Sequence, residues 1–106
     1  MNSEQKSAIL GAITLVKSRG YKIVYGGFGS RMSCCPIRAL FIASGSTKDY
    51  VTEAANTLRC TESQIWGFIF GFDFQYYYRQ TAYSTREDTK EFFKFGQELR
   101  AKEFGQ

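Results

Sequence analysis

The 106-residue chain is 43% hydrophobic, with one proline, three cysteines and no histidine, and its fourteen bases against ten acids give a net charge of +4. That length and composition fit one globular domain, residues 1–106, with its own core. The missing histidine excludes Ser-His-Asp and Cys-His nucleophiles, histidine-ligated zinc and histidine acid–base catalysis.

No apolar run reaches the roughly 20 residues that span a bilayer, and the apolar stretch 8–16, with Glu4 ahead of it, reads as a helix and not as a signal peptide. The expected location is cytoplasmic, with reduced thiols, since three cysteines, two of them adjacent, make a poor disulfide framework. Charge is unevenly spread. Residues 1–48 hold seven bases and one acid, whereas residues 49–106 hold seven bases and nine acids, so an anionic partner would meet the first half.

Ile9, Ala12, Ile13 and Val16 recur at helical spacing behind a weak Ser3/Lys6 cap, predicting a helix over about 3–18 that Gly20 stops. Residues 21–25 (YKIVY) read as a strand running into Gly26-Gly27-Phe28-Gly29, with 30–34 returning as the second strand of a β-hairpin. Pro36 suits the first turn of a short buried helix ended by Gly45, with a strand as the alternative. Ser46-x-x-Asp49 resembles a capping box for a helix carrying Tyr50, Val51, Ala54, Ala55 and Leu58 on one face and ending near Arg59.

Nine of the eighteen aromatic residues fall within residues 64–83. Ile65, Phe68, Ile69 and Phe72 fit one helical face, yet Trp66, Phe68, Phe70, Phe72, Phe74 and Tyr76 alternate with period two. The Thr61-x-x-Gln64 box favours a helix from Glu62 to about Phe72, with residues 74–83 as a loop or short strand. Ser84-x-x-Glu87 predicts the start of a terminal helix bearing Phe92, Phe95, Gly96 and Leu99 through about Lys102. The fold class expected is mainly α, four or five short helices packed with one β-hairpin at about residues 21–34.

Lys22, Tyr25, Phe28 and Arg31 interleave rings with bases, a pattern that serves stacking of single-stranded nucleic acid or an ordinary half-solvated hairpin. Gly26 to Arg31 resembles an anion nest but lacks the Gly-Lys-Ser/Thr ending of a P-loop. Tyr76, Tyr77, Tyr78, Arg79 and Tyr83 are residue types that dominate contact surfaces. Cys34, Cys35 and Cys60 admit three readings: packing in the core, reversible oxidation, or soft-metal binding without the usual four-ligand spacing. Glu87 with Lys90 and Glu98 with Lys102 read as solvated helix pairs and not as catalytic carboxylates.

The segments Cys34-Cys35-Pro36-Ile37-Arg38-Ala39-Leu40, Trp66-Gly67-Phe68-Ile69-Phe70-Gly71-Phe72-Asp73 and Phe95-Gly96-Gln97-Glu98-Leu99-Arg100 resemble, in that order, small uncharacterised bacterial proteins carrying Cys-Cys-Pro-x-x-Ala-Leu, Phe-x-x-Gly-Phe-Asp and Gly-x-x-Leu-Arg. The resemblance implies a helical domain, favours helix through Gly71, and brings no activity. Phe74 after Asp73, where that pattern has glycine, and the tyrosine run beyond it depart from it.

These readings point to a small regulatory or interaction module, not an enzyme and needing no cofactor. Its partner-binding residues would be Lys22, Tyr25, Phe28, Arg31, Tyr76, Tyr77, Tyr78, Arg79 and Tyr83. The partner expected is an acidic protein or a second copy of the chain, not a membrane; a phage-encoded inhibitor of a host protein fits the profile. The alternative is nucleic-acid binding through the basic hairpin, and the third reading is a redox or metal protein using Cys34, Cys35 and Cys60.

Overall fold

The computed structural model describes residues 1–45, 47–73 and 78–105, and of residues 78–81 the backbone only. Six helices carry the described chain: α1 (Ser3–Ser18), α2 (Pro36–Ser44), α3 (Tyr50–Leu58), α4 (Glu62–Asp73), α5 (Tyr78–Thr85) and α6 (Lys90–Phe104), with short strands β1 (Lys22–Ile23) and β2 (Ser33–Cys34) between α1 and α2. Contacts group them into two units, Met1–Cys60 and Thr61–Gln106.

In the first unit α1 buries Ile9, Ala12, Ile13 and Val16, the stripe its spacing predicts. Its cap sits one residue earlier than Ser3: Asn2 Oδ1 accepts the Gln5 N–H at 2.8 Å while Gln5 Oε1 accepts the Asn2 N–H at 3.0 Å. The Gln5 amide also donates to the Leu58 carbonyl at 2.9 Å, tying the start of α1 to the end of α3. Cys35 caps α2 with its sulfur, Pro36 occupies the first turn, and Gly45 ends the helix in the left-handed region. Helix α3 is capped by Asp49, which accepts the Thr52 N–H at 2.9 Å and hydroxyl at 2.6 Å. That makes the expected Ser46 cap unnecessary; Ser46 itself lies outside the described residues.

The predicted hairpin is corrected to a parallel pair, with Lys22 opposite Ser33 and Ile23 opposite Cys34. The Lys22 N–H donates to the Met32 carbonyl (2.9 Å) and the Val24 N–H to the Cys34 carbonyl (3.0 Å), so both partners advance together along the chain. Gly26 and Gly29 take φ of 84° and 88°, and Arg31 turns the chain again at φ 52°, so β2 enters in the direction of β1. At Gly29 any Cβ would strike the Ser33–Cys34 backbone.

In the second unit Thr61 and Gln64 form the predicted reciprocal box, at 3.1 and 2.9 Å, and open α4. The period-two rings divide on this helix. Phe68 and Phe72 are buried with Ile65 and Ile69, whereas Trp66 and Phe70 are half-buried. Residues 78–85 form α5, correcting the loop or strand expected there. The expected start of the last helix is corrected as well: Ser84 lies in α5, and α6 begins at Lys90. The reason is Thr89, wholly buried, whose hydroxyl donates to the Tyr83 carbonyl at 2.7 Å and fastens the turn between the helices.

Helices α4 and α6 meet backbone to backbone. A Cβ on Gly71 would run into the Phe93 carbonyl, one on Gly96 into the Phe68 carbonyl and the Phe72 nitrogen, and one on Gly67 would press on Thr89 at 3.2 Å. Arg100, buried on α6, donates from Nη1 to the Phe72 carbonyl at 3.0 Å and lies over the Phe104 ring. A cation there complements the C-terminal end of α4.

Candidate interaction surface

The end of α1, β1 and the loop 24–32 present a set of exposed basic and apolar side chains. Arg19 caps α1, Gly20 follows at φ 89°, and Lys22 is the exposed residue of β1. Tyr25 and Met32 are 45% and 50% exposed, the exposed large hydrophobic side chains among the described residues. The Met32 methyl lies 3.6 Å from where a Cβ on Gly20 would stand, which places the loop beside the end of α1. Arg31 is exposed next to it.

Electrostatically this surface is one-signed. No acid occurs between Gln5 and Lys48, and residues 1–60 hold eight bases against three acids. In the second unit Arg86 pairs with Asp88 at 2.7 Å and Lys90 with Glu87 at 2.9 Å, whereas among the described residues Arg19, Lys22 and Arg31 pair with no carboxylate.

Of the sequence-predicted contact residues, Lys22 and Arg31 meet at Met32, whose carbonyl accepts the Lys22 N–H, and Tyr25 is exposed in the loop between them. Phe28 serves a different purpose: half-buried, it meets Tyr50 edge-on at 5.0 Å, and Tyr50 meets Phe41 at 4.7 Å, a ring cluster that holds the loop on α2 and α3. Its carbonyl accepts the Cys35 N–H at 3.2 Å. The anion-nest reading loses donors within the loop, because the Ser30 N–H donates to the Ser33 hydroxyl and the Ser33 N–H to the Ser30 carbonyl. Tyr83 belongs to the second unit, half-buried and stacked on Phe70 at 5.1 Å. Tyr76 and Tyr77, and the side chains of Tyr78 and Arg79, lie outside the described residues.

The cysteines sit in the first unit. Cys34 and Cys35 are buried, Cys34 completely, and Cys60 is half-buried. Burial pushes the Cys34 thiol up, against a smaller opposing effect of Arg38, and pushes the Cys60 thiol up to about 11. Protonated thiols at neutral pH are poor nucleophiles. Among the described residues no group of three or more Cys, Asp or Glu is placed to hold a metal ion.

Sequence reasoning did not find Arg19 and Met32, since neither belongs to a motif; an unbroken acid-free stretch was the available signal. It also missed a groove of about 380 Å³ between the first turn of α1 and Thr57, Leu58 and Arg59. No protein-family model, curated protein or solved structure matches the chain. Among the described residues no helix is long and apolar enough to cross a membrane.

Proposed function

We propose that the chain is a non-catalytic interaction module that takes an acidic protein partner on the surface formed by Arg19, Lys22, Tyr25, Arg31 and Met32. The observation that supports it is the set of three exposed cations, without carboxylate partners among the described residues, in the segment that also carries the exposed Tyr25 and Met32. Tyr, Arg and Met are enriched where proteins meet, and an uncompensated positive patch steers an acidic surface toward it. The buried Cys34 and half-buried Cys60, both proton-bound, favour a packing role for these cysteines over redox or metal chemistry.

One observation favours nucleic acid as a second reading. The exposed Tyr25 ring lies in a loop bracketed by Lys22 and Arg31, and base stacking on such a ring is indifferent to sequence. Affinity capture from the native host separates the two, using wild type and the Lys22→Glu/Arg31→Glu double variant with protein and nucleic-acid detection on the same eluate. Protein retained by wild type and lost with the variant supports the proposal. Recovery that nuclease abolishes replaces it with the nucleic-acid reading, and equal recovery by both proteins removes the surface from either.

A further inference from the structure

We infer that the partner's contacting segment seats one apolar side chain on Met32 and arranges carboxylates around it. This rests on the acidic-partner reading and narrows it to an acidic peptide segment with an apolar centre.

Met32 is half exposed, and its methyl lies against Gly20, which offers no side chain. The bare flank is fixed by conformation, since Gly20 at φ 89° sits where L side chains are strained. Three cationic residues neighbour Met32 along the backbone. Arg19 immediately precedes Gly20, the Lys22 N–H donates to the Met32 carbonyl at 2.9 Å, and Arg31 adjoins Met32 at φ 52°. A uniformly charged partner could pair with the three cations yet would cover the thioether with polar groups. An apolar residue between carboxylates satisfies both at once, and methionine's flexible, polarizable side chain adapts to rings and aliphatic groups alike.

Fluorescence anisotropy on the full chain tests this with three labelled probes: a peptide with one phenylalanine flanked on each side by two acidic residues, the same peptide with serine in place of the phenylalanine, and a single-stranded thymidine oligomer. Wild type should bind the phenylalanine peptide about tenfold tighter than the serine peptide, the scale of one seated apolar side chain. Met32→Ser should bring the two peptides to equal affinity, while Lys22→Glu/Arg31→Glu should abolish both. Equal binding of the two peptides, or no effect of Met32→Ser, overturns the seat and leaves the acidic-partner reading standing. Failure of wild type to bind either peptide overturns both, and tighter binding of the oligomer than of either peptide overturns both in favour of nucleic acid.

Discussion

Cys60 keeps its proton to about pH 11 because the half-buried thiolate would lose hydration without gaining a partner charge. The folded value lies above that of an unfolded thiol, about 8.5, so between these two values the folded chain holds a proton the unfolded chain has released. Stability therefore falls as pH rises through that window. Cys60→Ala should flatten the alkaline decline in thermal unfolding temperature between about pH 8.5 and 11; a decline equally steep in the variant would assign it to other groups. Asp49 works in the opposite direction. The Thr52 hydroxyl, followed by its N–H, holds the carboxyl below its usual range, so its contribution is present above about pH 3.9 and disappears as pH falls through the folded value. Asp49→Asn should match wild type more closely at pH 2 than at pH 5 in thermal melts, and a constant gap would refute the assignment.

The helices divide according to what stops and starts them. Caps made by adjacent residues were legible: Thr61 with Gln64 is a local sequence signal, and so is Pro36 ahead of Gly45. The start of α6 was not, because Thr89 spends its hydroxyl on Tyr83, a tertiary choice no three-residue spacing encodes. Thr89→Val should cost about 1–3 kcal/mol by leaving the Tyr83 carbonyl unsatisfied, read from denaturant midpoints. Glycine offers a sharper contrast. Gly11, exposed within α1 with nothing within 4 Å, should accept alanine with a gain of about 0.5–1 kcal/mol, whereas Gly71→Ala and Gly96→Ala should each cost about 1–3 kcal/mol or more. Equal effects in chemical denaturation at all three positions would mean that the α4–α6 seam yields easily.

For the whole molecule, mainly helical content was readable from periodicity, as were the core faces of α1, α3 and α4. The direction of β2 was not, since glycines that permit a hairpin also permit a second turn, and Arg31 in the left-handed region carries no sequence signature. Of the candidate surface, Lys22, Tyr25 and Arg31 were visible as bases among rings, while Met32 became relevant only once Gly20 was placed beside it. The charge partition has a kinetic expectation: association of an acidic partner should slow steeply between about 0.01 and 0.15 M salt, as the screening length contracts from about 30 to 8 Å. A rate indifferent to salt in stopped-flow measurements would mean that the acid-free stretch does not guide encounter.

Because the α4–α6 seam brings main chain against main chain at Gly71 and Gly96, with Gly67 pressed on Thr89 just ahead of α6, what it demands of a sequence is a vacancy and not a residue with chemistry. The rings around it can exchange for others of similar bulk while the notch persists. Sequences far diverged from this one would then share a pattern of omissions, small residues four apart on one helix facing a small residue on another, long after their side chains had ceased to correspond.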